Sequence, residues 1–367
     1  MIILVVDGKA YEQFTEASVS FSMDSFARQF RFLATGSGGN PLPFKGGEAC
    51  TIYIDEVIPK NIILKGFIDI VDISYDAKSH SIDVSGRGQV ADIADSTIDT
   101  LELAAEIRLA SVIGAVIGQF EADISVVDLV PGLALFNLAE DQIGASGKNG
   151  FEFIEELARK RQVILNESGA GNIEITRAKT IKYEQKLQNL IYDDGNNIKS
   201  AQITYDLTGV YKTYIARSSQ NATALSNSGS LDLDQVVNQS GRSTTSNVRK
   251  GRQFAFIAEK ASSNDQLDER VKWESNIRRA RSRIYNAVFV GHKTQFGENW
   301  VINKLISVND EFAGISEDML VNSVTFVESL GEGEVVHLGL IDKNAYTPNP
   351  ADSLSDSVGG GFVFGGG

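Results

Sequence analysis

Apolar and polar residues alternate along much of this chain with a period of two, the mark of strands half-buried on one face. The clearest stretch runs from Lys65 to Asp95. Phe67, Asp69, Val71, Ile73 and Tyr75 alternate with Ile68, Ile70, Asp72 and Ser74. Asp76-Ala77-Lys78-Ser79 makes a polar turn, and Ile82 and Val84 alternate with Ser81, Asp83 and Ser85 on the return. Gly86-Arg87-Gly88 closes the hairpin, and two more aspartates, Asp92 and Asp95, follow. Upstream, residues 2–6 and 10–14 flank Asp7-Gly8, a pair suited to a turn with positive φ. Ala17, Val19, Phe21 and Met23 alternate with Ser18, Ser20, Ser22 and Asp24. After a Gly/Pro loop over 36–47, residues 51–57 and 62–65 predict two further strands. Residues 1–95 therefore predict a compact antiparallel β domain, a small barrel or sandwich.

From Asp99 the period lengthens. Leu103, Ile107, Ala110, Ile113 and Ile117 recur at helical spacing, with Thr100 as candidate N-cap. A second helix over 151–161 puts Ile154, Leu157 and Ala158 on one face and runs into a hairpin of 162–166 with 173–177. Residues 96–188 predict a small α+β unit. Strand character returns at Ser200, and 219–249, rich in Ser, Asn, Thr and Gly, predict an exposed loop. A helix over 264–285 offers Leu267, Val271, Trp273, Ile277 and Ile284 as a buried stripe; strands over 300–308, 319–328 and 334–340 follow. Residues 348–367 form a Gly-rich tail that cannot hold itself folded.

The β regions echo each other. Ala17-Ser18-Val19-Ser20-Phe21-Ser22-Met23 matches Ala201-Gln202-Ile203-Thr204-Tyr205-Asp206-Leu207, apolar on apolar and polar on polar. At the same offset Phe26, Arg28 and Phe30 meet Val210, Lys212 and Tyr214. Ile68, Val71 and Ile73 match Val321, Val324 and Phe326, and Ile82 and Val84 match Val336 and Leu338 once the second turn takes one extra residue. The predicted fold is α+β but mostly β. Two related antiparallel β-barrel, tube-like domains (1–95, and 189–218 with 286–347) flank the α+β unit, and an insertion over 219–285 splits the second.

Composition narrows the function. A chain of 367 residues is long enough for two to four domains. Its formal charge of −14 opposes a nucleic-acid-binding surface, which needs clustered cations. Cys50 is the only cysteine, which excludes an intrachain disulfide and reads as a small buried strand residue. The apolar start stops at Asp7 without a basic leader, so it reads as a strand rather than a signal peptide. No apolar run approaches the ~18 residues that span a bilayer.

Candidate chemistry is sparse. His80, His292 and His337 lie far apart without ligand spacing, and no nucleophile elbow, zincin or EF-hand motif is present. Gly144-Ala145-Ser146-Gly147-Lys148-Asn149 resembles a phosphate loop, but Gln142 stands at the first glycine's place and Asn149 at that of the magnesium-binding hydroxyl. The neighbouring carboxylates Glu155-Glu156 and Asp193-Asp194 diverge on a helix or strand. A glycosidase pair assembled from distant acids stays open. No cofactor or metal is implied. Arg278, Arg279, Arg281 and Arg283 stand out in so acidic a protein. They are either a solvated helix face or a contact for an acidic neighbouring subunit. Phe362 and Phe364 either dock on a neighbour or belong to a disordered end.

Gly66-Phe67-Ile68-Asp69, then Ser74 to His80 with Tyr75-Asp76, then Val84-Ser85-Gly86-Arg87, then Ala91-Asp92-Ile93-Ala94-Asp95 follow one another in a spacing that resembles the baseplate hub proteins of Mu-like contractile-tailed phages, the late control D or tail hub family. Trp273-Glu274, Gly314-Ile315 and Met319-Leu320-Val321 resemble the later part of the same family, and the likeness extends to about Tyr346. The Ser/Asn loop, the Gly/Phe tail and Gly88, where a polar residue is commoner, depart from it. The resemblance implies a non-enzymatic homotrimer in the virion baseplate, assembled in the host bacterial cytoplasm. Two tube-like domains per chain would form a pseudo-sixfold ring that joins a sixfold tail tube, or its terminating protein, to a threefold spike beside the wedge proteins. Gly66, Asp69, Asp76, His80, Gly86, Arg87, Asp92 and Asp95 would be its structural motif residues. The competing readings are the hub of a type VI secretion or contractile injection particle, a tail-associated cell-wall glycosidase, and a carbohydrate-binding adhesin.

Overall fold

A computed structural model describes residues 1–35, 44–76, 80–130, 132–137, 144–145, 147–192, 195–219, 237–244, 248–258 and 264–346. The expectations for Phe362, Phe364 and the rest of the tail, for Asp193-Asp194 and for most of the Ser/Asn loop fall outside these residues.

The first strands are β1 (Ile2–Val6), β2 (Lys9–Tyr11), β3 (Glu16–Ser22), β4 (Gln29–Thr35), β5 (Ala49–Ile54), β6 (Ile62–Tyr75) and β7 (His80–Gly88). Asp7 and Gly8 both hold positive φ, 50° and 73°, so the two-residue turn between β1 and β2 forms where the Asp-Gly pair placed it. Alternation becomes burial directly: Ala17, Val19 and Phe21 are buried along β3 while the serines between them are half-exposed. The two strands expected over 62–65 and 67–75 are one. A bulge at Asp69 changes its phase, so Ile68 and Val71 face the core side while Ile70 is 54% exposed.

The middle of the chain carries α1 (Ala91–Asp95), β8 (Glu106–Ile107), α2 (Leu109–Gln119), β9 (Val126–Asp128), β10 (Phe136–Asn137), α3 (Gly150–Lys160), β11 (Ile164–Glu167) and β12 (Ile173–Thr176). Helix α2 starts later than the spacing from Leu103 suggests. Glu106 and Ile107 pair with Asn137 and Phe136 instead, and Arg108 is extended (φ −83°, ψ 150°). Helix α3 begins at Asn149, whose side chain accepts a hydrogen bond from the Glu152 amide, an N-cap with an acid in the first turn. Both helices pack with the sheet β11-β12-β9 around a core that includes Ile113, Val116, Ile154, Leu157 and Ile175.

The remainder comprises β13 (Lys182–Asn189), β14 (Ile198–Tyr205), β15 (Thr213–Ser219), β16 (Val237–Thr244), β17 (Gln253–Ala258), α4 (Asn264–Ala280), β18 (Arg283–Val290), β19 (Leu305–Asp310), β20 (Ile315–Ser329) and β21 (Gly333–Asp342). Within the expected loop, β16 is a strand that pairs antiparallel with β15, whose other edge carries β17. Tyr214 and Ala216 there share a small core with Leu267 and Val271 of α4. Helix α4 ends at Ala280, five residues short of expectation, because β-branched Ile284 and Val288 and aromatic Tyr285 enter the sheet with β18.

Thirteen strands form the main sheet, in the order β14-β18-β21-β20-β3-β4-β7-β6-β5-β1-β2, with β19 on the first part of β20 and β13 on β19. Read outward from one strand, the connectivity repeats. The run β3-β4-β7-β6-β5-β1 is matched by β14-β18-β21-β20-β19-β13, with the six strands in the same chain order in both halves. The bulge between Ile68 and Ile70 has its counterpart between Val321 and Ser323. Matching the cross-strand partners aligns Val19 with Ile203, since each opposes the residue, Phe30 or Tyr285, that in turn opposes Gly86 or Leu340. The echo over 17–23 and 201–207 is thus structural. Its continuation is not: Tyr285, rather than Tyr214, takes the place of Phe30, because the chain leaves the sheet after β14 to build β15 to α4. The halves differ at one end, where β1 runs antiparallel to β5 and β13 parallel to β19. One core spans both, with Leu4, Phe32 and Val84 in the same cluster as Trp300, Phe326 and Leu338.

Candidate functional site

The motif residues gather at two places on the β6–β7 hairpin. At its base, Arg87 on β7 reaches Asp69 at the β6 bulge (Nε to Oδ2, 2.7 Å) and Asp95 at the end of α1 (Nη2 to Oδ2, 2.7 Å; Nη1 to Oδ1, 3.2 Å). The bulge aims Asp69 at the arginine, and Val90 turns the chain into α1 so that Asp95 comes back to it. Hydrogen bonds to Asp95 and then Asp69 raise the pKa of Arg87, and the same contact holds the Asp95 carboxyl below its ordinary range. Burial, and then the charges of Asp69 and Asp95, raise Asp92 beside them. Gly66 pairs with Gly88 close against the Arg87 backbone, and Gly86 opposes Ile68 against the Phe30 ring. At the other end of the hairpin Tyr75 pairs with His80, their rings stacked 6.3 Å apart, and Asp76 begins the turn. The bridge fastens a helix to a strand.

Removing this bridge with Arg87→Ala should cost about 1 kcal/mol, the scale of an exposed but bidentate ion-pair network. The Asp95 carboxyl is depressed, so the stabilisation is complete above the ordinary aspartate range and fades as pH falls through it. Denaturation midpoints of parent and variant should differ at neutral pH and converge in acid.

A buried contact between Arg28 and Glu167, missed from the sequence, joins the first β region to the α+β unit. Arg28 and Glu167 are 7% and 3% exposed. The Arg28 amide donates to Glu167 Oε2 (2.7 Å), and its guanidinium donates to the carbonyls of Glu167 (3.1 Å) and Ile63 (2.6 Å) while lying 3.9 Å over the Phe21 ring. Burial pushes Glu167 up to about 7 against the pull of Arg28, and lowers Arg28 to about 10. Gly88 explains itself here: a Cβ would sit 2.0 Å from Glu167 Oε2. The departure of Gly88 from the usual polar residue was the one available signal of this pair.

A third cluster comes from distant segments. Donor atoms of Asp55, His292 and Glu334 lie within 4.8 Å of one another, a set that could ligate a metal. Cations of the chain already neutralise its acids: the Met1 ammonium is 3.0 Å from both Asp55 and Glu334, and Lys293 Nζ is 3.0 Å from Asp55. His292 Nε2 lies 3.0 Å from the Val327 carbonyl, and burial lowers its pKa, so the ring is held neutral. The arrangement clasps β1 to β21. His80 and His337 lie elsewhere, the latter 3.2 Å from Glu332.

The arginine group is dispersed by the end of α4. Arg278 stays on the helix against Glu274 (2.6 Å) and over the Phe254 ring, Arg281 pairs with Asp24, and Arg283 on β18 pairs with Glu317 (2.6 Å). Arg279 is half-buried at the end of α4. Lys148 of the phosphate-loop-like segment pairs with Glu156. Among the described residues no helix is long and apolar enough to cross a membrane.

Residues 1–88 match the family model described as Mu phage baseplate assembly protein GpP-like, N-terminal, and residues 263–349 match that of Mu phage baseplate assembly protein GpP, fourth domain. The fold is similar to that of the prophage MuSo2 43 kDa tail protein from Shewanella oneidensis (TM-score 0.75, 24% identity, covering 94% of this chain and 98% of that one). It is also similar to the tail protein from Neisseria meningitidis MC58 (0.74, 16%, 95% and 98%). A more distant likeness is to the E. coli c3393 protein, a component of the type VI secretion system with structural similarity to T4 bacteriophage tail proteins gp27 and gp5 (0.54, 9%, 92% and 76%). A search of curated proteins found no match.

Proposed function

From a chain that is Mu-baseplate-like at both ends, we propose a structural, non-enzymatic baseplate hub of a contractile phage tail. Three copies form a ring whose six similar faces meet a sixfold tail tube, or the protein that terminates it, while its threefold symmetry meets the spike and the baseplate wedge proteins. The observation that carries this reading is the strand order given twice by one chain. Duplication within a subunit is the simplest way for three subunits to present six like surfaces. The proposed domains are a first tube-like β domain (1–95), an α+β domain, and a second tube-like domain of β14 and β18 to β21, to which we add β13, expected within the α+β unit of 96–188, because it pairs with β19. The net charge of −14 suits a central passage through which DNA slides without binding. Assembly would take place in the host bacterial cytoplasm and end in the virion.

Purified full-length protein should scatter light with about three times the 39.8 kDa mass of one chain. A monomer at every concentration, in the presence and absence of tail tube protein, would remove the reading. The likeness to a type VI secretion component favours one alternative, a hub of such a system or of an injection particle. Recovery of the protein in DNA-filled phage particles separates the two.

A further inference from the structure

The internal repeat exposes an asymmetry. Within the chain the outer edge of β3 is closed by the second half of β20: Phe326 opposes Val19, Val324 opposes Phe21, and Glu328 opposes Ala17. The counterpart of β3 is β14, and the counterpart of that half of β20 is residues 70–75 of β6, a fixed offset of the aligned bulges. Among the described residues β14 pairs only with β18, and residues 70–75 pair only with β7. Two edges are therefore open where their equivalents are closed. Val19, Val324 and Phe326 are fully buried in the closed joint, whereas Ile73 is 54%, Tyr75 77% and Tyr205 64% exposed at the open edges. Val71 and Ile203 rim the main core without being covered. Long open edges bearing apolar side chains are templates for another strand.

We propose that residues 70–75 of one copy pair antiparallel with residues 201–206 of the next copy, in the register that the closed joint dictates. Transferring its pairs places Ile73 opposite Ile203, Val71 opposite Tyr205 and Tyr75 opposite Ala201, an apolar row continuous with the core. On the other face Asp72 meets Thr204 and Ser74 meets Gln202, polar on polar. A slip by one residue would drive Asp72 and Ser74 into the apolar row, so the alternation itself selects this register. The contact is head-to-tail, two different edges of one chain, and such contacts generate rings when the rotation closes. The seam deepens the ring reading above and rests on it: three joints within chains alternate with three between chains.

The test is disulfide capture in the full chain. Residues directly opposite on antiparallel strands have Cβ atoms about 4.5–5.5 Å apart, near the separation a disulfide needs. Cys50 is buried, and burial pushes its thiol up to about 12, so it does not compete. The double variant Ile73→Cys/Ile203→Cys should convert on mild oxidation to covalent dimer and trimer on a non-reducing gel. Each single variant, and the shifted pair Asp72→Cys/Ile203→Cys, should stay at the mass of one chain. Val71→Cys/Tyr205→Cys repeats the test one pair along if the first variant folds poorly. A trimer by light scattering that neither pair captures overturns the seam and leaves the ring standing, as does equal capture by the shifted pair. Absence of both trimer and capture overturns the two together.

Discussion

Replacing Glu167 with alanine is expected to destabilise the protein by about 2–4 kcal/mol, because it leaves the buried Arg28 amide without its acceptor and empties a packed site. The guanidinium would keep its bonds to the carbonyls of residue 167 and Ile63 and its place over the Phe21 ring, so the loss falls on the amide. The loss should appear in the denaturant midpoint and be carried by the joint between the first β region and the α+β unit. Glu167→Gln separates charge from shape. It keeps an oxygen to accept from the Arg28 amide and should be tolerated better than alanine. It should also change the response to pH. Burial raises Glu167 from 4.5 to about 7, so the folded state holds a proton that the unfolded chain has released. The parent's stability from this group is therefore complete below about 4.5 and is lost as pH rises to about 7, by about 1.4 kcal/mol for each pH unit in that window. The glutamine variant should lack that slope. An unchanged slope would show that Glu167 is ionised throughout and that Arg28, rather than burial, governs it.

Gly66→Ala is the second large effect, at about 3 kcal/mol or more. A Cβ there would lie 2.0 Å from the Arg87 carbonyl oxygen and 2.7 Å from the Gly88 Cα. Both are backbone atoms of the paired strand, so no side chain can swing aside; β6 and β7 must part. Because Arg87 also carries the bridge to Asp69 and Asp95, the shift would loosen α1 as well. The expected result is a melting temperature lower by about 6 °C or more, from roughly 2–4 °C per kcal/mol in larger domains. Gly114→Ala, where no heavy atom lies within 4 Å of the added Cβ inside helix α2, should instead be neutral or slightly stabilising. Equal effects at the two positions would contradict the packing account.

How far the sequence could be read depended on range. Strands β3, β6 and β7 were legible because alternation is a local signal: it reports burial along β3 and the inner part of β7, and on β6 it persists through residues 69–75, where the side chains are largely exposed. The duplication was legible for the same reason: homologous strands keep the same apolar row, and Val19 and Ile203 do occupy matching places in the sheet. The start of α2 was misread because Leu103 and Ile107 pack on the same core as the helix without belonging to it, and periodicity cannot tell burial beside a helix from burial on one. Strand β13 went unseen: its inward row includes buried Gln185 between Tyr183 and Leu187, which breaks the apolar alternation. Contacts between distant residues left almost no trace beyond Gly88. Arg28 and Glu167 are 139 positions apart, and Asp55, His292 and Glu334 meet only once the sheet has formed. The motif residues were legible as a set, yet their geometry, an arginine bridging a bulge and a helix end, appears only with the turn at Val90.

The most direct measurement is electron microscopy of the purified full-length protein viewed down its symmetry axis. The account predicts threefold particles with six similar peripheral densities around an open centre. Twofold particles, or threefold ones whose two densities per chain bear no likeness, would contradict it.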